Sequence, residues 1–373
     1  MAPRASKPDQ EILPESDRAG DLPHPREREE LFGHADASAT LSKAARSGQL
    51  HHAWLLAGPK GVGKATLAWR FARALLAFGK GNCPDDLHVP LGHPAFRQVS
   101  ALTHPDVTLL RRPWDVDKKR FKSDLPVDEV RRLKGYFSKH STFGGPQIAI
   151  VDCMDDMNIQ AQNALLKILE EPPKSAILLL ITHAPGHLLP TIRSRCRLLH
   201  LRKLSDGDMV QATKSLCPGA SPETLKMVSA LADGVPGFAA SLAESNAIAT
   251  YQDLLGLLSQ LPTINAAMAQ GFADRIARQP IDTGIAVFSA LMQLIEQRLV
   301  LTHLGFGTPL AAETNAFQRM AAAISLEEWV SLWSDLRNQF SRTEQLNLDK
   351  KQFVLNALYS IESRASKAFH ANR

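Results

Sequence analysis

The chain has 373 residues, with 43 Lys and Arg against 38 Asp and Glu, a formal net charge of +5. Hydrophobic residues make up 44% and charged residues 22%, which excludes a collagenous or largely disordered protein. The longest purely aliphatic stretch, Ala176 to Ile181, is far below the roughly 20 residues a membrane-spanning helix needs. The N-terminal residues alternate charge with Pro and Gly and carry no apolar signal core, and Cys83, Cys153, Cys196 and Cys217 lack paired spacing. The expectation is a cytoplasmic protein of two or three domains, without a disulfide framework and without a membrane partner.

Residues 1–25 are polar, Pro-containing and without apolar period, and are expected to form a disordered tail. From Leu31 the pattern turns helical, then switches at Ala53 to a short apolar run ending at Ala57, a glycine-rich turn, and an apolar-periodic helix from Lys64 to about Phe78. Further short apolar runs lie at Val107–Leu110, Ile148–Val151, Ile177–Ile181 and Leu198–Leu201. A helix from Asn158 to Leu169 stands before the fourth run and is stopped by Pro172 and Pro173. Buried strands alternating with helices predict an α/β domain, a parallel sheet with helices on both faces, over 26–202. After Arg202 the strands stop. Residues 203–246 read as a small helical lid broken near Cys217-Pro218-Gly219 and Asp233-Gly234-Val235-Pro236-Gly237. Residues 247–373 read as an all-helical domain with long segments near Ile281–His303, Pro309–Ile324 and Leu326–Ser363.

Gly58-Pro59-Lys60-Gly61-Val62-Gly63-Lys64 is a G-x-x-x-x-G-K phosphate loop between a predicted strand and a predicted helix. Its glycines let successive N–H groups converge on a phosphate, and the lysine reaches the β and γ oxygens. The position after the lysine ordinarily carries the hydroxyl that holds Mg²⁺. Here it is Ala65, and Thr66 comes one residue late, turned by about 100 degrees on the helix. Asp152 ends an apolar strand as a metal-holding acid would, but Cys153 follows it where a water-orienting glutamate is expected, and a neutral thiol is a poor base. A weak or vestigial ATP site without proper Mg²⁺ positioning follows, and autonomous hydrolysis is not expected.

Between Arg111 and Lys139 ten Lys and Arg stand against five Asp and Glu. The run also carries Trp114 and Phe121, an arrangement compatible with phosphate and base contacts. The plainer reading is a solvated loop and helix face.

Several motifs are distinctive: Leu50-His51-His52-Ala53-Trp54, His104-Pro105-Asp106, Val127-Asp128-Glu129-Val130-Arg131, Asn163-Ala164-Leu165-Leu166-Lys167-Ile168-Leu169-Glu170-Glu171-Pro172-Pro173 and Ser194-Arg195-Cys196. In this order around a phosphate loop they resemble the bacterial DNA polymerase III clamp-loader family of AAA+ proteins, in its delta-prime type. The resemblance covers roughly 31–202 strongly and the helical remainder by layout. It implies a non-motor member of a hetero-pentameric ring with motor subunits and a clamp-opening subunit, acting on the sliding clamp and on primed DNA in the replisome. Any nucleotidyl transfer would belong to the polymerase holoenzyme. The resemblance gives Arg195 the role of an arginine finger reaching the ATP of an adjacent motor subunit, where a permanent, planar charge stabilises the transferring phosphoryl group. Ala65, Cys153 and the glycine at 237, where motor subunits carry a sensing arginine, favour the delta-prime type. Relatives often insert a four-cysteine zinc module. This chain offers only Cys83 with His88, His93 and His104 in that interval, so no zinc is expected.

Two other readings remain open from sequence. An autonomous AAA+ motor would need Ala65 and Cys153 compensated by neighbours. A P-loop phosphotransferase would give no reason for the long helical C-terminal region.

Overall fold

The computed structural model describes residues 13–18, 20, 22–244, 247–279, 284–306, 313–346 and 349–371. The chain forms two compact units. One runs to Ala212 and includes Gly234–Gly237; the other comprises Thr213–Asp233 and the chain from Phe238 onward.

The first unit opens with α1 (Ala35–Arg46), β1 (Ala53–Ala57), α2 (Lys64–Phe78) and α3 (Pro94–Ser100). It continues with β2 (Val107–Leu110), a short ribbon of β3 (Trp114–Asp115) and β4 (Arg120–Phe121), and α4 (Val127–Phe137). β5 (Gln147–Val151), α5 (Ile159–Glu170), β6 (Ala176–Thr182), the single turn α6 (Pro190–Arg193) and β7 (Arg197–His200) complete the α/β layers. The five long strands are parallel in the order β2-β5-β6-β1-β7. β1, β5 and β6 are buried along their whole length, as uninterrupted apolar runs in a two-sided sheet should be. The edge strand β7 is largely exposed. α4 and α5 cover one face, where Val130, Leu133, Leu165 and Ile168 meet Leu55, Val151, Leu178 and Leu180 in one core. The α/β architecture expected from sequence, a parallel sheet packed with helices, is therefore present.

Part of the expected disordered tail is ordered. Glu15 pairs with Arg26 at 3.0 Å and with Arg111 at 2.9 Å, and Asp17 meets Arg111 at 2.6 Å and His24 Nε2 at 2.9 Å. The side chains of Asp17 and His24 are 1% and 0% exposed. Charges that look solvated in a linear reading are here matched and buried against the domain. Residues 1–12, 19 and 21 of that tail lie outside the described residues.

α7 (Asp206–Leu216) carries the chain from the first unit into the second, and α8 (Pro222–Ala232) follows. α9 (Pro236–Glu244) begins in the first unit and ends in the second, so the compact boundary does not fall at the expected 203 and 247. The second unit goes on with α10 (Ala247–Leu258), α11 (Ala266–Ala277), α12 (Ile285–His303), α13 (Thr314–Ala323), α14 (Leu326–Leu346) and α15 (Lys350–Ala371). The segment expected as one helix over Leu326–Ser363 is two. Asp349 accepts the Gln352 N–H at 2.9 Å and so caps a new helix. α12 is long and apolar enough to cross a membrane by composition, but Phe288, Leu291, Leu294, Ile295 and Leu299 are buried in this unit. Arg298 on the same helix is buried against Glu313 and donates to the Tyr251 hydroxyl at 2.8 Å.

Candidate functional site: two rims of one sheet

Because all five strands run the same way, the sheet has a carboxyl rim and an amino rim, and the residues singled out from sequence divide between them. The phosphate loop leaves the end of β1 at Gly58 and enters α2 at Lys64. Gly58, Gly61 and Gly63 take φ of 152°, 84° and 111°, a region that glycine enters without the Cβ penalty. A Cβ on Gly58 would stand 2.3 Å from the Leu201 carbonyl oxygen. The loop thus owes its glycines to its own conformation as well as to phosphate approach.

Lys64 does not project from this loop. Its side chain is buried, and Nζ donates to the carbonyls of Gly58 at 2.7 Å and Pro59 at 2.6 Å. Desolvation lowers its pKa to about 8, with Asp152 and Asp155 opposing. Val62 is buried, Lys60 and Gly61 face solvent, and Ala65 and Thr66 are half-buried on the first turn of α2. Ala65 supplies no oxygen. The lid turn also closes on the loop: the Gly237 N–H donates to the Gly61 carbonyl at 2.9 Å, and a Cβ on Gly237 would lie 2.8 Å from the Gly61 Cα. An arginine at that position is incompatible with this contact.

Asp152 follows the last residue of β5 on the same rim. Burial, then the negative charge of Asp17, raise its pKa to about 7, with Lys64 pulling the other way. Next to it, Cys153 Sγ donates to Asp155 Oδ2 at 2.8 Å, and burial pushes the thiol pKa upward. Asp155 also accepts from the Thr182 hydroxyl at 3.0 Å and from the N–H groups of His183 at 2.7 Å and Ala184 at 3.0 Å. Burial alone would raise its pKa, but these donors outweigh it and hold the carboxyl low. His183 is driven down to about 4 by burial and by Lys64, so the ring is neutral. Cys153, Asp155 and His183 present ligand atoms within 4.8 Å of one another. Four donors already occupy the two Asp155 oxygens, so the group reads as a hydrogen-bond knot tying the end of β5 to that of β6. The sequence reading missed this knot and the His34 ring, whose Nε2 lies 2.9 Å from the Val62 carbonyl. No motif marks either one.

Cys83, His88, His93 and His104 have separate roles. Ser42 donates to the Cys83 carbonyl, His88 pairs with Glu29, His93 caps α3 and His104 accepts the Asp106 N–H. Burial raises the Cys83 thiol to about 11.

Arg195 stands on the amino rim. It lies two residues before β7, whose Arg197 is in register with Trp54 at the start of β1. Four residues of strand, about 13 Å, separate that level from Gly58. Arg195 donates to the Thr191 carbonyl at 3.1 Å and pairs with Glu170 at 3.0 Å, and its side chain is 36% exposed. Three of the distinctive motifs meet here. Glu170 comes from the end of α5, His52 contacts the Leu169 backbone, and the Arg197 guanidinium lies over the Trp54 ring at 4.9 Å. Arg195 is thus partly exposed, oriented by two partners, and on the rim opposite its own phosphate loop.

Residues 33–205 match the family model described as DNA polymerase III, delta subunit. Over 161 residues the chain is 38% identical to the delta-prime subunit of DNA polymerase III from Pseudomonas aeruginosa, covering 42% of this chain and 45% of the relative. This stretch is similar to the delta-prime subunits of DNA polymerase III. The delta-prime subunit of Escherichia coli is 35% identical over 157 residues, 42% of this chain and 44% of its own. The tau subunit of Bacillus subtilis is 27% identical over 280 residues, which reaches 73% of this chain and 47% of the relative. The chain matches less than half the length of these curated relatives. The matched residues include both the phosphate loop and the Arg195 turn.

Proposed function

We propose that the chain serves as a non-motor subunit of a DNA polymerase III clamp loader. It would scaffold a hetero-pentameric ring that loads the sliding clamp on primed DNA, and place Arg195 against the ATP of a neighbouring motor subunit. The observation that carries this reading is the separation of the two rims: the permanent charge at Arg195 lies too far from Gly58–Lys64 to serve its own loop. An arginine in that position acts only on a nucleotide held by another chain.

The residues of the loop do not fit a catalytic magnesium–nucleotide site. Lys64 is bonded to its own loop carbonyls, Ala65 offers no ligand, the lid turn rests on Gly61, and burial raises the Asp152 pKa to about 7. No hydrolytic step is assigned to this loop, and a motor or phosphotransferase reading finds no group to replace the missing hydroxyl. In this account the chain's own residues do three things. The β5–β6 knot stiffens the carboxyl rim, Glu170 and Thr191 aim Arg195, and Arg195 supplies charge in trans.

Size-exclusion chromatography with light scattering, on the chain mixed with its cognate gamma/tau and delta subunits, tests the scaffold role. The chain should co-elute in a heteromeric assembly and, alone, should turn over no ATP above a buffer blank. Failure to join the assembly, or turnover by the isolated chain, would overturn the reading.

A further inference from the structure

The basic stretch after β2 was singled out by composition, and the proposed scaffold role does not use it. The structure sorts its charges into two classes. Arg111 is bound by Glu15 and Asp17, Arg112 by Asp156 at 3.1 Å, Arg131 by Asp128 and Arg132 by Glu129. Lys118, Lys119, Arg120 and Lys122 are exposed and, among the described residues, form no ion pair; Asp124 feels the Lys122 charge without pairing with it, and the exposed Asp117 precedes Lys118. All four lie on the β3–β4 ribbon or its immediate exit. Asp115 accepts the Lys118 N–H at 3.0 Å and shapes the tip. The Lys122 N–H donates to the Pro113 carbonyl at 3.0 Å and closes the base of the ribbon. On the stem, Trp114 and Phe121 pair edge to face at 5.0 Å, and both are half-exposed.

A closed ribbon carrying four exposed cations free of ion pairs, around an accessible aromatic pair, has the donor set that tracks a phosphodiester backbone and stacks on unpaired bases. We propose that the 114–122 ribbon is a contact for single-stranded nucleic acid. The four cations take the phosphates and the exposed part of Trp114 takes a base. The proposal rests on the ribbon alone and holds whether or not the chain belongs to a ring.

The test uses the isolated full-length chain and a labelled oligo-dT of about 30 nucleotides at about 50 mM salt. Wild type is compared with a ribbon variant carrying Lys118→Ala, Lys119→Ala, Arg120→Ala and Lys122→Ala. A control variant removes the same charge elsewhere through Lys43→Ala, Arg97→Ala, Lys174→Ala and Lys214→Ala. Equal thermal midpoints establish that all three are folded. The ribbon variant should bind at least about tenfold more weakly, with a salt slope reduced by roughly 3, and the control should stay within about twofold of wild type. A separate Trp114→Phe variant should lose affinity for the oligo and none for a duplex of equal length. The proposal is overturned if wild type does not bind the oligo, if the ribbon variant binds as wild type does, if the control loses as much, or if the ribbon matters only for duplex. Any of these leaves the assembly experiment above unaffected.

Discussion

Asp152 and Lys64 show how the carboxyl rim has been turned inward. A phosphate-loop lysine that bonds two carbonyls of its own loop is satisfied without a phosphate, and an aspartate whose pKa burial raises to about 7 ionises far less readily than an ordinary carboxyl. The folded pKa of Asp152 lies above its ordinary 3.8. Its contribution to stability is therefore complete below about pH 4 and is lost as pH rises through about 7. Asp152→Asn keeps a neutral group at every pH. The variant should match wild type in thermal midpoint near pH 4 and exceed it near pH 8, by an amount of order 1–3 kcal/mol. Equal midpoints at both pH values would show that the carboxylate is not penalised by burial and by Asp17.

At the level of elements, the five strands of the sheet are legible in the sequence because each is a short apolar run bounded by polar or Gly/Pro positions, and full burial on both faces leaves no alternation to confuse the pattern. The phosphate loop and the Arg195 turn are legible as motifs. The β3–β4 ribbon is not: two-residue strands carry no period, and its stability comes from the Trp114–Phe121 pair and the Lys122 bond. Nor is the N-terminal strap, whose partners stand far apart in the chain, Arg111 being 94 positions from Asp17. Linear composition reports charge but not which charges meet. Asp17→Asn tests the strap. It leaves Arg111 and His24 without the buried carboxylate they face, and loss of one partner of such a pair costs of order 3 kcal/mol. Chemical denaturation should show that loss. A change below about 0.5 kcal/mol would mean that residues 15–18 do not hold the domain.

The whole molecule combines an α/β unit, whose parallel sheet has two differently built rims, with a helical unit that includes α12 and its buried Arg298. The carboxyl rim is closed by its own carbonyls and by the Gly237 turn, and the amino rim presents an oriented arginine. Their separation follows from the parallel sheet: the loop leaves the end of β1, while the Ser194-Arg195-Cys196 turn enters the beginning of β7. The motifs name both sites, but only the strand register shows that they lie on opposite rims of the sheet. The most direct measurement is ATP turnover by the reconstituted loader, with clamp and primed DNA, containing either wild-type chain or Arg195→Ala. Assembly of each is checked by size exclusion. The account predicts intact assembly with turnover reduced at least about a hundredfold at the site facing Arg195, as expected when an arginine finger is removed. Unchanged turnover in an intact assembly would contradict it and leave the chain a scaffold alone.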